Sequence, residues 1–266
     1  MIMEEATVFG TEVNDEMLHN INSALQKNGF ARVSGLFSVE EIQLARKRIY
    51  SEFDHNKDQK HDPKDANLLL SNFQKLVVGG TRGANGVPRF LRMFYLPLMD
   101  NDVYGMHDIF RRLVRFRNRL YGLKEDFTCS GIEDGMWSAC RLNHYPRGGG
   151  FMATHVDIGT ANVAKDAGLE NYLQVILIMS KKGTDFKSGG AYIDLNDGER
   201  YFYEDQCDLG DIVIYDGRIK HGVEEIDYLD PLDMASHHGR YVAMATLFKH
   251  FGSDVDAEYA KLTNTK

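Results

Sequence analysis

The chain has 266 residues, 43% apolar and 26% charged, enough to bury a large core without disulfides or a structural metal. At roughly 150 residues per domain it falls between one large domain and two small ones. Lys plus Arg number 31 against 39 Asp plus Glu, giving a formal net charge of −8, and no basic run interrupts that balance; this argues against nucleic acid as a partner.

Cys129, Cys140 and Cys207 are odd in number and lack Cys-x-x-Cys spacing, which fits a reducing, cytoplasmic compartment better than a disulfide framework. No stretch approaches about 18 consecutive apolar residues, and Met1 to Glu5 does not open a secretory signal, so no membrane association is expected. Ten histidines in an acidic chain are the compositional hint of a metal.

In chain order, Asn14 to Asn28 carries Met17, Ile21, Ala24 and Leu25 at helical spacing, with Gly29 as the stop. Phe30 to Leu36 alternates like a strand, and Ser38-Val-Glu-Glu41 forms a capping box for a helix running to about Phe53. Residues 54–66 read as a charged loop, and Gly79-Gly80 with Arg82 to Gly86 as a flexible stretch. Val103 to Tyr121 is the clearest long helix, with Ile109, Leu113, Phe116 and Leu120 on one face and its arginines on a solvated one. After about residue 128 short apolar, β-branched runs recur between Gly and Asp turns: Met136–Tyr145, Tyr172–Ser180, Gly190–Leu195, Arg200–Glu204, Asp211–Tyr215 and Arg240–Phe248. A helical layer on a β-sandwich, in one domain, is the economical architecture.

His155-Val-Asp157 is the first sign of chemistry, because residues i and i+2 of a strand face one way and can converge on one ion. Alone the pair is weak, since a chain of this composition contains roughly one His-x-Asp by chance. His221 strengthens it: the strand-like run Gly210 to Gly217 delivers this second histidine to a sheet rim. Two histidines and one carboxylate are the facial triad of non-haem Fe(II) oxygenases, which leaves positions open for a chelating co-substrate and for O2. Gly239-Arg240 then opens an apolar strand, and an arginine inside a barrel mouth requires an anionic partner.

At these residues the sequence resembles the Fe(II)/2-oxoglutarate-dependent dioxygenases. The resemblance runs from about 138 to 250, through Arg141-Leu-Asn-His-Tyr-Pro-Arg-Gly-Gly-Gly150, Thr154-His-Val-Asp157, Ser188-Gly-Gly190, Gly210-Asp211, His221-Gly-Val223 and Gly239-Arg240. It implies a mainly β fold with flanking α: a double-stranded β-helix, or jelly roll, with an N-terminal helical layer. It further implies that His155, Asp157 and His221 bind Fe(II), that Arg240 holds the distal carboxylate of 2-oxoglutarate, and that Asn143 and Tyr145 lie near that co-substrate. The insertion from Asp227 to His238 lengthens the usual gap before the arginine. On this reading 1–266 is a single oxygenase domain: 1–127 mainly helical support and lid, 128–250 the jelly-roll core, 251–266 a C-terminal tail or helix.

The other histidines lack such context. His144 is out of phase with Asn143 and Tyr145 and should face away from their site; His237 and His238 adjoin a polar loop; His107 and His250 have no partner pattern. Gly148-Gly149-Gly150 has no following Lys-Ser or Lys-Thr and reads as a turn, and the cysteines read as structural. The implied reaction couples oxidative decarboxylation of 2-oxoglutarate, giving succinate and CO2, to hydroxylation of a C–H bond. Asp157 favours hydroxylation over halogenation, in which the family replaces that carboxylate with a small residue. The expected substrate is a small polar molecule, a free amino acid or a specialised metabolite. Loops at Lys57–Ala66, Val78–Val87 and Gly159–Asn171 could close over it, and Arg82, Arg89, Arg92, Arg141, Arg147 and Arg218 are available to pair with it. The alternatives are a peptidyl hydroxylase, a desaturase or cyclase of the same superfamily, and a non-enzymatic jelly-roll binding protein.

Overall fold

The computed structural model describes residues 6–59, 70–79, 87–170, 172–195 and 198–250. In chain order its elements are β1 (Thr7–Phe9), α1 (Asp15–Asn28), β2 (Phe30–Ser34), α2 (Val39–Glu52), β3 (Phe73–Gly79), β4 (Arg89–Tyr95), α3 (His107–Leu120), β5 (Met136–Pro146), β6 (Gly150–His155), α4 (Ile158–Asp166), β7 (Leu173–Ile178), β8 (Gly190–Leu195), β9 (Glu199–Tyr201), β10 (Ile212–Asp216), β11 (His221–Ile226) and β12 (Gly239–Lys249).

Local signals set the helix ends. The Asn14 side chain accepts from the Met17 amide at 2.8 Å to open α1, and Gly29 closes it at φ 76°, in the left-handed region. Ser38 Oγ accepts from the Glu41 amide at 3.1 Å, the capping contact expected for α2. Helix α3 starts later than the run from Val103 suggests, because the Asp102 carboxylate accepts from the Met106 and His107 amides. Its expected apolar face is buried at Ile109, Leu113 and Phe116. One arginine departs from the expected solvated face. Arg117 is buried, donating to Asn118 Oδ1, Ser138 Oγ and Ala245 O, and the other polar groups around it make that burial tolerable.

The strands form two walls. Strands β10, β7, β12 and β5 are neighbours in that order, extended at one edge by β2 and β1; β6, β11, β8 and β9 are neighbours in the other wall. Strand β4 joins them, pairing Arg92–Tyr95 with Arg141–His144 and pairing Arg89 and Phe90 with Met152 and Phe151. This order is that of a double-stranded β-helix, and helices α1 to α3 pack on the outside of the first wall.

Besides the short β1 and the histidine-bearing β6, strands β3, β4 and β11 are additional to those read from the sequence. Each mixes charged residues into an apolar run, which hides the alternation: Lys75 and Arg92 are buried in β3 and β4, Arg92 through a 2.8 Å pair with Asp58, while Glu224 and Glu225 of β11 face solvent. The proposed strand Arg200–Glu204 ends at Tyr201, and a 3-10 turn, Tyr203–Gln206, follows. Of the three loops read as lids, residues 60–66, 80–86 and 171 lie outside the described residues, as do Arg82 and the tail at 251–266; most of the third loop is α4.

The central strands of the first wall are buried on both faces. On β5, Cys140 and Leu142 pack toward the helices while Arg141, Asn143 and Tyr145 line the cavity between the walls. On β12, Tyr241, Ala243 and Ala245 face the helices; Arg240, Val242 and Met244 face the cavity. Period-two alternation thus separates an outer apolar core from an inner working surface.

His144 falls on the helix side, as its phase demands. Its ring stacks on Tyr241 at 4.3 Å, its Nε2 lies 3.0 Å from His238 O, and burial pushes its pKa down to about 3. An unfolded imidazole titrates near 6.5, so between these values the unfolded chain binds the extra proton. The stability from neutral His144 is therefore present above pH 6.5 and lost as pH falls toward 3. Urea unfolding across that window should show the loss, with a shallower slope in His144→Phe; an identical slope in the variant would overturn the assignment.

Candidate metal centre and its cavity

The walls enclose a cavity of about 150 Å³ whose lining includes His155, Asp157, His221, Asn143, Tyr145 and Arg240. Antiparallel pairing of β6 with β11 sets His155 directly opposite His221. Each histidine is the terminal residue of its strand, His155 the last of β6 and His221 the first of β11, so both sit on the rim.

Asp157 reaches them differently from the sequence expectation. Strand β6 stops at His155, so the pair is not two like-facing strand positions; Asp157 is the N-cap residue of α4, at φ −89° and ψ 62°. An N-cap aspartate ordinarily accepts from its own helix amides, and this one does not. Its carboxylate turns to the histidines instead, with His155 Nε2 at 3.5 Å from Oδ1 and His221 Nε2 at 3.5 Å from Oδ2. Gly217 permits the approach: a Cβ there would meet the Tyr172 ring at 2.5 Å, and its carbonyl accepts from the Asp157 amide at 2.9 Å.

The donor set suits a divalent ion. His155 Nδ1 is 2.9 Å from Ala153 O and His221 Nδ1 is 2.8 Å from Ile219 O, so each Nδ1 carries a proton and each Nε2 points inward, where it donates to Asp157 when protonated and presents a lone pair to an ion when neutral. The three ligand atoms lie within 4.8 Å of one another. Ligands about 2.1 Å from one ion stand roughly 3–3.4 Å apart, so the 3.5 Å separations need only slight closure. Burial pushes the Asp157 carboxyl up, but the hydrogen bonds and charge of His155 and His221 outweigh burial and hold it well below the ordinary carboxylate range.

Gln174 is a partner that sequence reasoning missed. Its Nε2 donates to Asp157 Oδ2 from the start of β7, and its signal was a single polar residue inside the apolar run Tyr172–Ser180.

At the inner end of the cavity, Arg240 is fully buried and its Nε donates to both oxygens of Glu204, at 2.7 and 2.9 Å. Glu204, also missed, comes from the 3-10 turn after β9 and accepts in addition from the Ala191 amide at 2.8 Å. A residue assigned to a strand end gave no reason to place it inside. Burial opposes the Arg240 charge, but Glu204 and the nearby Tyr203 and Tyr145 raise its pKa well above the ordinary arginine value. The pair engages Nε, and among the described residues the two terminal amino groups make no hydrogen bond. Tyr145 stands against the guanidinium, 4.8 Å from ring centre to Cζ, directly across from Arg240 in the β5–β12 register. Asn143, one pleat along, donates to Met244 Sδ at 3.6 Å, and its buried Oδ1 has no partner among the described residues. Burial raises the pKa of the Tyr145, Tyr203 and Tyr215 phenols, so each offers the cavity a neutral hydroxyl.

Of the six arginines offered as substrate contacts, Arg89 and Arg141 line this cavity. Arg92 pairs with Asp58, Arg147 with Asp230 and Arg218 with Asp216, all away from it. His237, beside that polar loop, is half-buried and stacks on Tyr50 at 4.3 Å. All three cysteines are free and buried.

No family model and no curated protein matches the sequence. Solved structures do match in fold. A prolyl hydroxylase from Trichoplax adhaerens, in complex with a hypoxia inducible factor peptide fragment, is 11% identical, with 94% of each chain covered and a TM-score of 0.54. A prolyl-4-hydroxylase from Pseudomonas putida is 13% identical over 88% of this chain and 99% of that one, with a TM-score of 0.51. An oxidoreductase of the 2OG-Fe(II) oxygenase family from Burkholderia pseudomallei is 10% identical over 91% and 95%, also at 0.51. The chain has the fold of the 2OG-Fe(II) oxygenases. Among the described residues, no helix is long and apolar enough to cross a membrane.

The Arg240–Glu204 pair makes a strong demand on stability. Glu204→Ala leaves a buried, uncompensated cation and should cost about 3–5 kcal/mol in urea unfolding. A loss below about 1 kcal/mol would show that Arg240 has enough other partners.

Proposed function

We propose that the protein is an Fe(II)/2-oxoglutarate-dependent oxygenase that hydroxylates a C–H bond of a small polar molecule. The observation that carries this reading is the meeting of His155, Asp157 and His221 on the rim of a double-stranded β-helix, with Arg240 buried below them in the same cavity. Bound Fe(II) with 2-oxoglutarate and O2 supplies the oxidising power, 2-oxoglutarate leaving as succinate and CO2.

The chain's own residues supply binding and placement. His155 and His221 present Nε2 lone pairs, fixed by the carbonyls of Ala153 and Ile219, and Asp157 supplies one negative charge. Gln174 and the Gly217 carbonyl hold Asp157 at the mouth. The terminal amino groups of Arg240 would hold the distal carboxylate of the co-substrate, with the Tyr145 hydroxyl and the Asn143 side chain along the same wall. Glu204 keeps Arg240 in place by its Nε, leaving the guanidinium end free to act. The apolar lining from Leu91, Met93, Ile176, Val223 and Val242 excludes bulk water.

The test is spectroscopic. Protein given Fe(II) and 2-oxoglutarate without oxygen should develop a weak visible charge-transfer band, and admitting oxygen should yield succinate. Asp157→Ala should abolish the band and lower succinate formation by more than about 100-fold. A folded wild type without the band would sink the oxygenase reading, and undiminished succinate from Asp157→Ala would overturn the triad.

A further inference from the structure

We infer that Arg141 anchors a carboxylate of the primary substrate at the mouth of the cavity; this rests on the oxygenase reading above and names its substrate class. The first support is position. Arg141 pairs with Met244, and Met244 pairs with Ile176 on β7, one pleat from Gln174, the residue that holds Asp157. Arg141 therefore lines the same cavity as the triad, one pleat from the level at which Gln174 reaches Asp157. Arg240 pairs with Tyr145, four residues further along β5, about 13 Å away along the strand. A five-carbon co-substrate seated on Arg240 with its other end at the triad has no reach left for Arg141.

The second support is chemistry. Among the described residues Arg141 makes no ion pair; its Nη2 donates to Thr246 Oγ1 at 2.8 Å, and its Nε is buried without a partner. The contrast is within the same fold: Arg92 has Asp58 and Arg240 has Glu204. Tyr95 and Phe248 flank the guanidinium, with ring centres 6.0 and 5.6 Å from Cζ, which restricts water and fixes the plane of the fork. A fixed planar fork with an unmet buried donor matches a carboxylate, which accepts two parallel hydrogen bonds and carries one charge. Asn143, whose buried Oδ1 has no partner among the described residues, is the next same-face residue of β5 and suits a donor on the same ligand, such as an amino or hydroxyl group. A small 2-amino or 2-hydroxy acid has both groups.

The probes are the proteinogenic L-amino acids, the matching amides, short 2-hydroxy acids and O-phosphoserine, each added without oxygen to protein holding Mn(II) and 2-oxoglutarate. The readout is thermal shift, then calorimetry on each ligand that responds. At least one acid should bind, with its amide weaker by about tenfold or more. Arg141→Gln should weaken that acid by about 30-fold, with the 2-oxoglutarate affinity held within about twofold. Arg141→Lys should recover part of the binding, because it restores charge without the fork, and so separates anchoring from misfolding. The assignment is overturned if no carboxylate binds, if amides bind as well as acids, or if O-phosphoserine responds where serine and the other acids do not. A loss of 2-oxoglutarate affinity in Arg141→Gln would move Arg141 to the co-substrate and overturn the anchor, leaving the oxygenase reading intact. Failure of the wild type to bind Mn(II) and 2-oxoglutarate would strike that reading instead.

Discussion

The structure depends on three adjacent strands, β5, β12 and β7, being buried on both faces. One face packs against the helices through residues such as Leu142, Ala243 and Leu177; the other lines the cavity through Arg141, Arg240 and Gln174. Because side chains alternate, no register slip is tolerated: a one-residue shift would drive Arg240 into the apolar core beneath α1 to α3. The same constraint gives meaning to every polar residue on the inner face. A buried polar group is unfavourable unless partnered, so each must be partnered within the protein or by something the protein binds. Gln174 meets Asp157 and Arg240 meets Glu204, whereas among the described residues the Nε of Arg141 has no acceptor and the Oδ1 of Asn143 no donor.

Charge inside the cavity is consequently unlike charge outside it. The whole chain carries −8, yet the inner wall sets a neutral Arg240–Glu204 pair below and a cationic Arg141 at the mouth. Asp157 is the remaining acid at the rim, held ionised by two histidines that are themselves fixed by backbone carbonyls. A divalent ion there would leave one positive charge on the triad, and an anionic co-substrate would more than cancel it. Global net charge therefore argues against a basic nucleic-acid face but predicts nothing about the ligand, which meets only the local field.

Much of this was legible in the sequence, and the boundary of legibility is physical. Strands that keep a clean apolar run, such as Gly190–Leu195 and the stretch from Met136, were readable, as were caps formed by neighbours, Ser38 with Glu41 and Gly29 with Leu25. Strands β3 and β4 were not, because Lys75 and Arg92 are buried there, Arg92 through a pair with Asp58, and local pattern cannot reveal such burial. The histidines of the triad and Arg240 carry local signals, a His-x-Asp pair and a Gly-Arg strand start. Glu204 and Gln174 carry almost none, since each matters only through a partner distant in sequence. His144 was separable from the site by strand phase alone, the strongest inference that period two allows.

The basic and acidic members of the site also differ in how they are supported. His155, His221, Arg240 and Arg141 are on strands, three of them at or beside a strand end, where the hydrogen-bonded walls fix their directions. Asp157 and Glu204 are on turns, one capping α4 and one in the 3-10 turn after β9, and each is held by contacts that reach back to a wall, Gln174 on β7 and Ala191 on β8. The walls thus specify where cations and metal ligands stand, and the turns bring the compensating carboxylates to them. Lengthening or shortening either turn alters the charge inside the cavity while the register of β5, β7 and β12 stays as it is. The anionic half of the centre therefore depends on the length of its turns, and the cationic half on the register of the paired walls.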